Sequence, residues 1–136
     1  MQDPFIGTWK MNLEKSEFGT HPRPLGGTIV YEIDSEGYYL RNAEGIGPNG
    51  NKVVERPERF LADGIARAVP DFPGLKCVVR RTDPNSLSAE VAREDGSLVG
   101  GGTSVVSADG KSLTIDNFGY DSQLRQFKVR VVCDHE

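Results

Sequence analysis

Turn signals punctuate this chain from end to end: DSEGY (34–38), GPNGN (47–51), ADG (62–64), DPNS (83–86), REDGS (93–97), SADGKS (107–112) and GYDSQ (119–123). They recur at intervals of about ten to fifteen residues, the rhythm of an antiparallel meander. Gly and Asn accept the positive φ that tight turns demand, so Asp-Gly and Asn-Gly between alternating stretches mark hairpins. Between the turns the residues alternate. Thr28–Asp34 puts Ile29, Tyr31 and Ile33 on one face, and Leu87, Ala89 and Val91 alternate with Ser88, Glu90 and Ala92. Leu113 and Ile115 stand against Thr114 and Asp116, and Phe127, Val129, Val131 and Cys133 against Lys128, Arg130 and Val132. A period of two with one apolar face describes a sheet packed on one side. No window carries a 3.6-residue period. The best helical stretch is NLEKSEFG (12–19), one or two turns with Asn12 as a cap.

Such a meander ends as a barrel or a sandwich, and closure removes exposed edges. The expectation is an all-β chain: a single antiparallel up-and-down barrel of about eight to ten strands, with at most one short helix near the N-terminus, forming one domain over residues 1–136. A barrel of that strand number is wide enough inside to hold a small ligand.

Composition narrows the function classes. With 37% hydrophobic and 26% charged residues, wholesale disorder is excluded. The formal charge of −4 argues against nucleic acid as a partner, because that binding rests on Lys and Arg neutralising phosphates. No run of about 18 apolar residues is present to form a membrane-spanning helix. Cys77 and Cys133, far apart in the chain, define neither a disulfide framework nor a metal site, and read as small buried hydrophobes. No metal and no cofactor are expected. With two histidines, one of them His135, no Ser-His-Asp arrangement suggests itself. MQDPF has no signal-peptide pattern, so the expected compartment is cytoplasmic if Met1 is native, and periplasmic or extracellular if a leader was removed.

The stretch PFIGTWKMNLEKSEF (4–18) resembles the first strand of the calycin superfamily, the lipocalins and fatty-acid-binding proteins, which carry G-x-W there, here Gly7-Thr8-Trp9. The whole chain is similar to small bacterial lipocalin-like proteins, with their DPF-G-W opening and a late hairpin at Val105–Thr114. The resemblance implies that Trp9 closes the barrel floor against an Arg of the last strand, Arg125 or Arg130, with Arg130 the choice from position. It also implies that the loop after strand one covers the open mouth. The chain departs from the family in two respects. The lipocalin T-D-Y motif is missing, and about a dozen residues between Leu13 and Gly26 are too few for the two lid helices of fatty-acid-binding proteins.

Candidate site residues follow. His21, in the Pro/Gly-rich loop GTHPRPLGG, is a gate or proton shuttle at the mouth, having the side chain that titrates nearest neutrality. In GYYLRNAEG (37–45), inward Tyr39 and Arg41 would make an anion anchor beside an aromatic wall, since a guanidinium fork matches a carboxylate. A one-residue slip inverts every side chain, so which face of this strand points inward stays open. Pro57 removes a ladder donor and places Glu55 and Glu58 at a bulge or edge. Arg80 or Arg81 must point inward and then needs a carboxylate or a bound anion. Ligand-binding positions are therefore Tyr31, Tyr39, Arg41, Phe60, Arg80, Phe118 and Phe127; acid–base candidates are His21, Tyr39, Arg41, Glu55 and Glu58. Two functions lead: binding of a small hydrophobic or amphipathic molecule by a monomer or homodimer, or a cofactor-free isomerase, cyclase or lyase acting on a hydrophobic or aromatic substrate; a structural or partner-binding barrel with a filled interior is the third.

Overall fold

The computed structural model describes residues 3–19, 21–121 and 123–136. Among the described residues there is no helix. The strands are β1 (Gly7–Glu17), β2 (Gly26–Ile33), β3 (Tyr39–Ile46), β4 (Lys52–Val54), β5 (Glu58–Phe60), β6 (Arg67–Ala68), β7 (Leu75–Asp83), β8 (Ser86–Arg93), β9 (Leu98–Val106), β10 (Ser112–Tyr120) and β11 (Gln126–His135). All pair antiparallel in one sheet of order β4-β3-β2-β1-β11-β10-β9-β8-β7-β6, with β5 also on β3. The expected turns join them. Asp34, for example, accepts the backbone N–H groups of Glu36 and Tyr38 at 2.9 and 3.0 Å, an Asx turn that leads into β3.

The sheet curls into a barrel whose ladder stops short of closing. Residues 52–68 hold both sides of the remaining seam in turn. Val54 pairs with Glu44 and Phe60 with Tyr39 on β3; Asp63 then bridges to Arg80, and Arg67 pairs with Cys77 on β7. Pro57 falls at the register break between β4 and β5, where its missing N–H costs no ladder bond.

One end of the barrel is plugged. Phe5, Trp9, Val106, Leu113 and Cys133 are fully buried there. The Trp9 indole N–H donates to the Phe5 carbonyl at 2.9 Å, so the only tryptophan ties the N-terminal segment into the floor. Gly7 sits at φ 133°, and a Cβ on it would lie 2.5 Å from Nε2 of His135; both facts demand glycine in G-x-W. The ring on Trp9 is that of His135, edge-on at 4.6 Å, and not an arginine: Arg130 lies on the outer face and pairs with Asp116 at 2.7 Å. Arg125 pairs with Asp121 in the β10–β11 turn.

The helical expectation at 12–19 gives way to strand. The Asn12 side chain accepts Lys15 N–H at 3.2 Å, and Ser16 Oγ donates to the Asn12 carbonyl at 2.7 Å, both local bonds of a helical start. They are made inside a bulge of β1, where the register to β11 shifts between Asn12 and Glu17 and Val132 N–H donates to Ser16 Oγ. Pairing with β11 on this stretch outweighs a single turn of helix, whose nucleation is unfavourable.

Candidate functional site

Cross-strand register sorts the side chains into inner and outer rows. Val131, Ile115, Ser104 and Leu87 form one row, and Val129, Asn117, Gly102, Ala89 and Val79 the next; buried Ile115 and Leu87 mark both as inward. On the opposite wall, Tyr31 pairs with Arg41, and Arg41 with Glu58. These rows enclose a cavity of about 490 Å³ whose walls include Tyr31, Phe60, Cys77, Val79, Ala89 and Ile115. A second lobe of about 280 Å³ shares Arg41, Glu55, Ile115 and Asn117 and reaches Met11, Ile29 and Val131. A larger volume of about 740 Å³ lies chiefly over outward-facing Ser88, Thr103, Asp116 and Arg130. We place the site in the interior, where apolar walls and a few polar groups converge.

The polar centre of the cavity is Arg41. Its Nη1 donates to Glu55 at 2.9 Å, and Glu58 lies 3.8 Å from the same nitrogen. Burial works against the Arg41 charge, but Tyr31, Glu55 and Glu58 more than compensate and hold it above its ordinary pKa. Burial pushes the Tyr31 hydroxyl up, with the Arg41 charge pulling the other way. Burial, and then Glu58, raises the Cys77 thiol.

Tyr39 belongs to the floor and not to this cavity. Its hydroxyl donates to Asp3 and accepts from Arg81, and Arg81 Nη2 lies 2.8 Å from Asp3. Its ring packs edge-on against Phe5 at 6.4 Å and stacks on Phe60 at 5.3 Å. Burial and the Asp3 carboxylate raise its pKa. The demand that one of two consecutive arginines turn inward is met by Arg81, with Asp3 as its carboxylate; Arg80 points outward and pairs with Glu90 at 3.5 Å. Strand alternation allows only one of the two inside.

The remaining candidates lie apart from Arg41. Phe118 borders the cavity but stands on the outer row, its ring across Gly101 and beside Tyr120. Phe127 covers Gly119, where a Cβ would meet its ring at 2.6 Å, and carries His21 on its own face at 4.2 Å. The 18–25 loop thus reaches over β11 at the unplugged end, and its described residues form no helix. The structure therefore brings Tyr31, Arg41, Glu55, Glu58 and Phe60 together, leaves His21, Arg80 and Phe127 apart from them, and sets the Tyr39 ring against Tyr31 and Phe60 with its hydroxyl turned to the floor. Asn117 and Ser104 also line the cavity; Asn117 follows from alternation with Ile115, whereas Ser104 follows only from the register that pairs it with Ile115.

No protein-family model matches the chain, and no curated protein is significantly similar to it in sequence. Solved structures are similar. The fluorescent protein UnaG superposes with TM-score 0.64 at 16% identity, covering 100% of this chain and 99% of its own. A zebrafish ileal bile acid-binding protein complexed with cholic acid does so with TM-score 0.59 at 14% identity, covering 98% of each chain. The fold is fatty-acid-binding-protein-like. As-p18, an extracellular fatty acid binding protein, is a third neighbour, with TM-score 0.53 at 12% identity over 98% of this chain and 97% of that one. At these identities the likeness is one of fold.

Proposed function

We propose that the chain binds a small amphipathic molecule inside the barrel. The carrying observation is the interior cavity of about 490 Å³, walled by Tyr31, Phe60, Val79 and Ile115, with its charged groups gathered at Arg41, Glu55 and Glu58. Apolar walls reward burial of a hydrocarbon or ring system, and the gathered polar groups fix its orientation. The neighbours named for bile acid and fatty acid binding support the same reading. Titration with Nile red, a neutral dye whose emission reports an apolar site, tests it. Saturable, blue-shifted emission is expected, and Ala89→Phe, which fills the inner wall, weakens it by about tenfold or more while the far-ultraviolet circular dichroism is unchanged. Dye binding that does not saturate, or that ignores the filled wall, overturns the proposal. Native mass spectrometry of protein taken from its own host then identifies the ligand.

A second reading, a cofactor-free isomerase or lyase, is favoured by one observation: the buried Tyr31 and two carboxylates at the cavity edge all neighbour the Arg41 guanidinium. Glu58, the carboxylate farther from Arg41, is its general base. Turnover of the identified ligand, abolished by Glu58→Gln, separates this from simple binding.

A further inference from the structure

The charge along the cavity wall, Arg41 largely covered and Glu55 and Glu58 more than half exposed at its edge, restricts the polar end of the ligand, on the reading that the cavity binds an amphiphile. The charged side chains converging on the main lobe are Arg41, Glu55 and Glu58, one positive and two negative. Glu44, which borders the second lobe, is engaged with Lys52 at 3.4 Å. The other arginines near this wall are committed elsewhere. Arg81 is on Asp3 at the floor, Arg80 is on Glu90 outside, and Arg56 reaches Asp71 at 2.7 Å.

Arg41 is therefore not a free anion anchor. Its guanidinium is already hydrogen-bonded to Glu55 at 2.9 Å, and a ligand carboxylate arriving there would meet two like charges. Like charges a few ångströms apart repel by about 1 kcal/mol or more even at high dielectric. Glu58, at 3.8 Å from the same nitrogen, lies beyond hydrogen-bond distance and keeps its acceptor capacity. It stands next to Phe60 on β5's two-residue alternation and opposite Arg41, with Tyr31 one strand further on. Carboxylates beside aromatic rings are the surroundings that hold an ammonium group, by ion pairing and by attraction to the ring faces.

We propose that the polar end of the ligand is a cation, an alkylammonium or comparable protonated amine, received by Glu58 and Glu55, with Arg41 holding those carboxylates in place. The test compares three compounds of one chain length, decylammonium, decanol and decanoate, by calorimetric titration of the full chain at neutral pH. Decylammonium is expected to bind about tenfold tighter than decanoate. Glu58→Gln is expected to weaken decylammonium by about fivefold, to leave decanol within about twofold, and to tighten decanoate. Glu55→Gln, checked alongside by circular dichroism, repeats the test should the first variant unfold. Decanoate binding as tightly as decylammonium, or an ammonium affinity indifferent to both substitutions, overturns the inference and leaves the binding function standing. Failure of all three compounds to bind overturns the binding function and this inference with it.

Discussion

Tyr39→Phe separates a floor residue from a ligand contact. The substitution keeps the ring, and with it the packing on Phe5 at 6.4 Å, Tyr31 at 6.3 Å and Phe60 at 5.3 Å. What disappears is one hydroxyl, which donates to Asp3 and accepts from Arg81. Hydrogen bonds to charged groups contribute about 1.5–3 kcal/mol each. The loss here falls near the bottom of that range for the pair together. Asp3 and Arg81 remain bonded to each other at 2.8 Å, and their side chains are 19% and 32% exposed, so water reaches the vacated position. The expected destabilisation is about 1.5–2 kcal/mol, which moves a urea midpoint down by about 1 M with an unchanged slope. Ligand affinity, measured with Nile red in the absence of urea, should stay within about twofold, because the hydroxyl faces the floor and not the cavity. A stability loss below about 0.5 kcal/mol would show that the Asp3–Tyr39–Arg81 cluster does not hold the floor. A tenfold loss of binding at intact stability would return Tyr39 to the binding site.

Trp9→Phe removes the indole N–H that the buried Phe5 carbonyl accepts, together with some core volume, and is expected to cost about 2–4 kcal/mol in a urea titration followed by circular dichroism; a cost under about 1 kcal/mol contradicts the plug. Burial, and then Asp134, push the Cys133 thiol up to about 11. In the unfolded chain this thiol ionises near 9, so its contribution to stability is complete below that pH and is lost between about 9 and 11 as pH rises. Cys133→Ala should flatten the alkaline fall in stability across that window, and an unchanged profile refutes the assignment.

Much of the architecture was legible in the primary structure because it rests on local chemistry. Asx-Gly turns and a period of two give strand positions without knowledge of partners, and Trp9 beside Gly7 marked the closed end. Tertiary competition decided what was not legible. Asn12 and Ser16 form helix-like bonds in either state, and only β11 alongside turns them into a bulge. The inward face of 37–45 depended on register, which the pairing of Tyr39 with Phe60 and Arg41 with Glu58 fixes. In the sequence Arg41 reads as an anion anchor with Tyr39, and Glu55 and Glu58 as separate acid–base candidates, because alternation reveals which side chains share a face and not which are already neutralised. Asp3 carries no local sign in the sequence of the buried Tyr39 and the part-exposed Arg81 that it serves.

Ladders that close all the way round bind strand number, stagger and tilt into one relation, so that no strand can shift alone. This sheet escapes that condition. Every ladder except β1–β11 joins strands that are close in sequence, and from Phe60 on the β3 side to the Asp63–Arg80 bridge on the β7 side no backbone pairing completes the circuit among the described residues. The circumference can therefore yield at one place while each paired strand keeps its register. Insertions or deletions at 61–62, between Phe60 on the β3 side and the Asp63–Arg80 bridge on the β7 side, are the length changes such a barrel absorbs most readily, and widening at that seam would admit a bulkier occupant without the loss of a ladder bond.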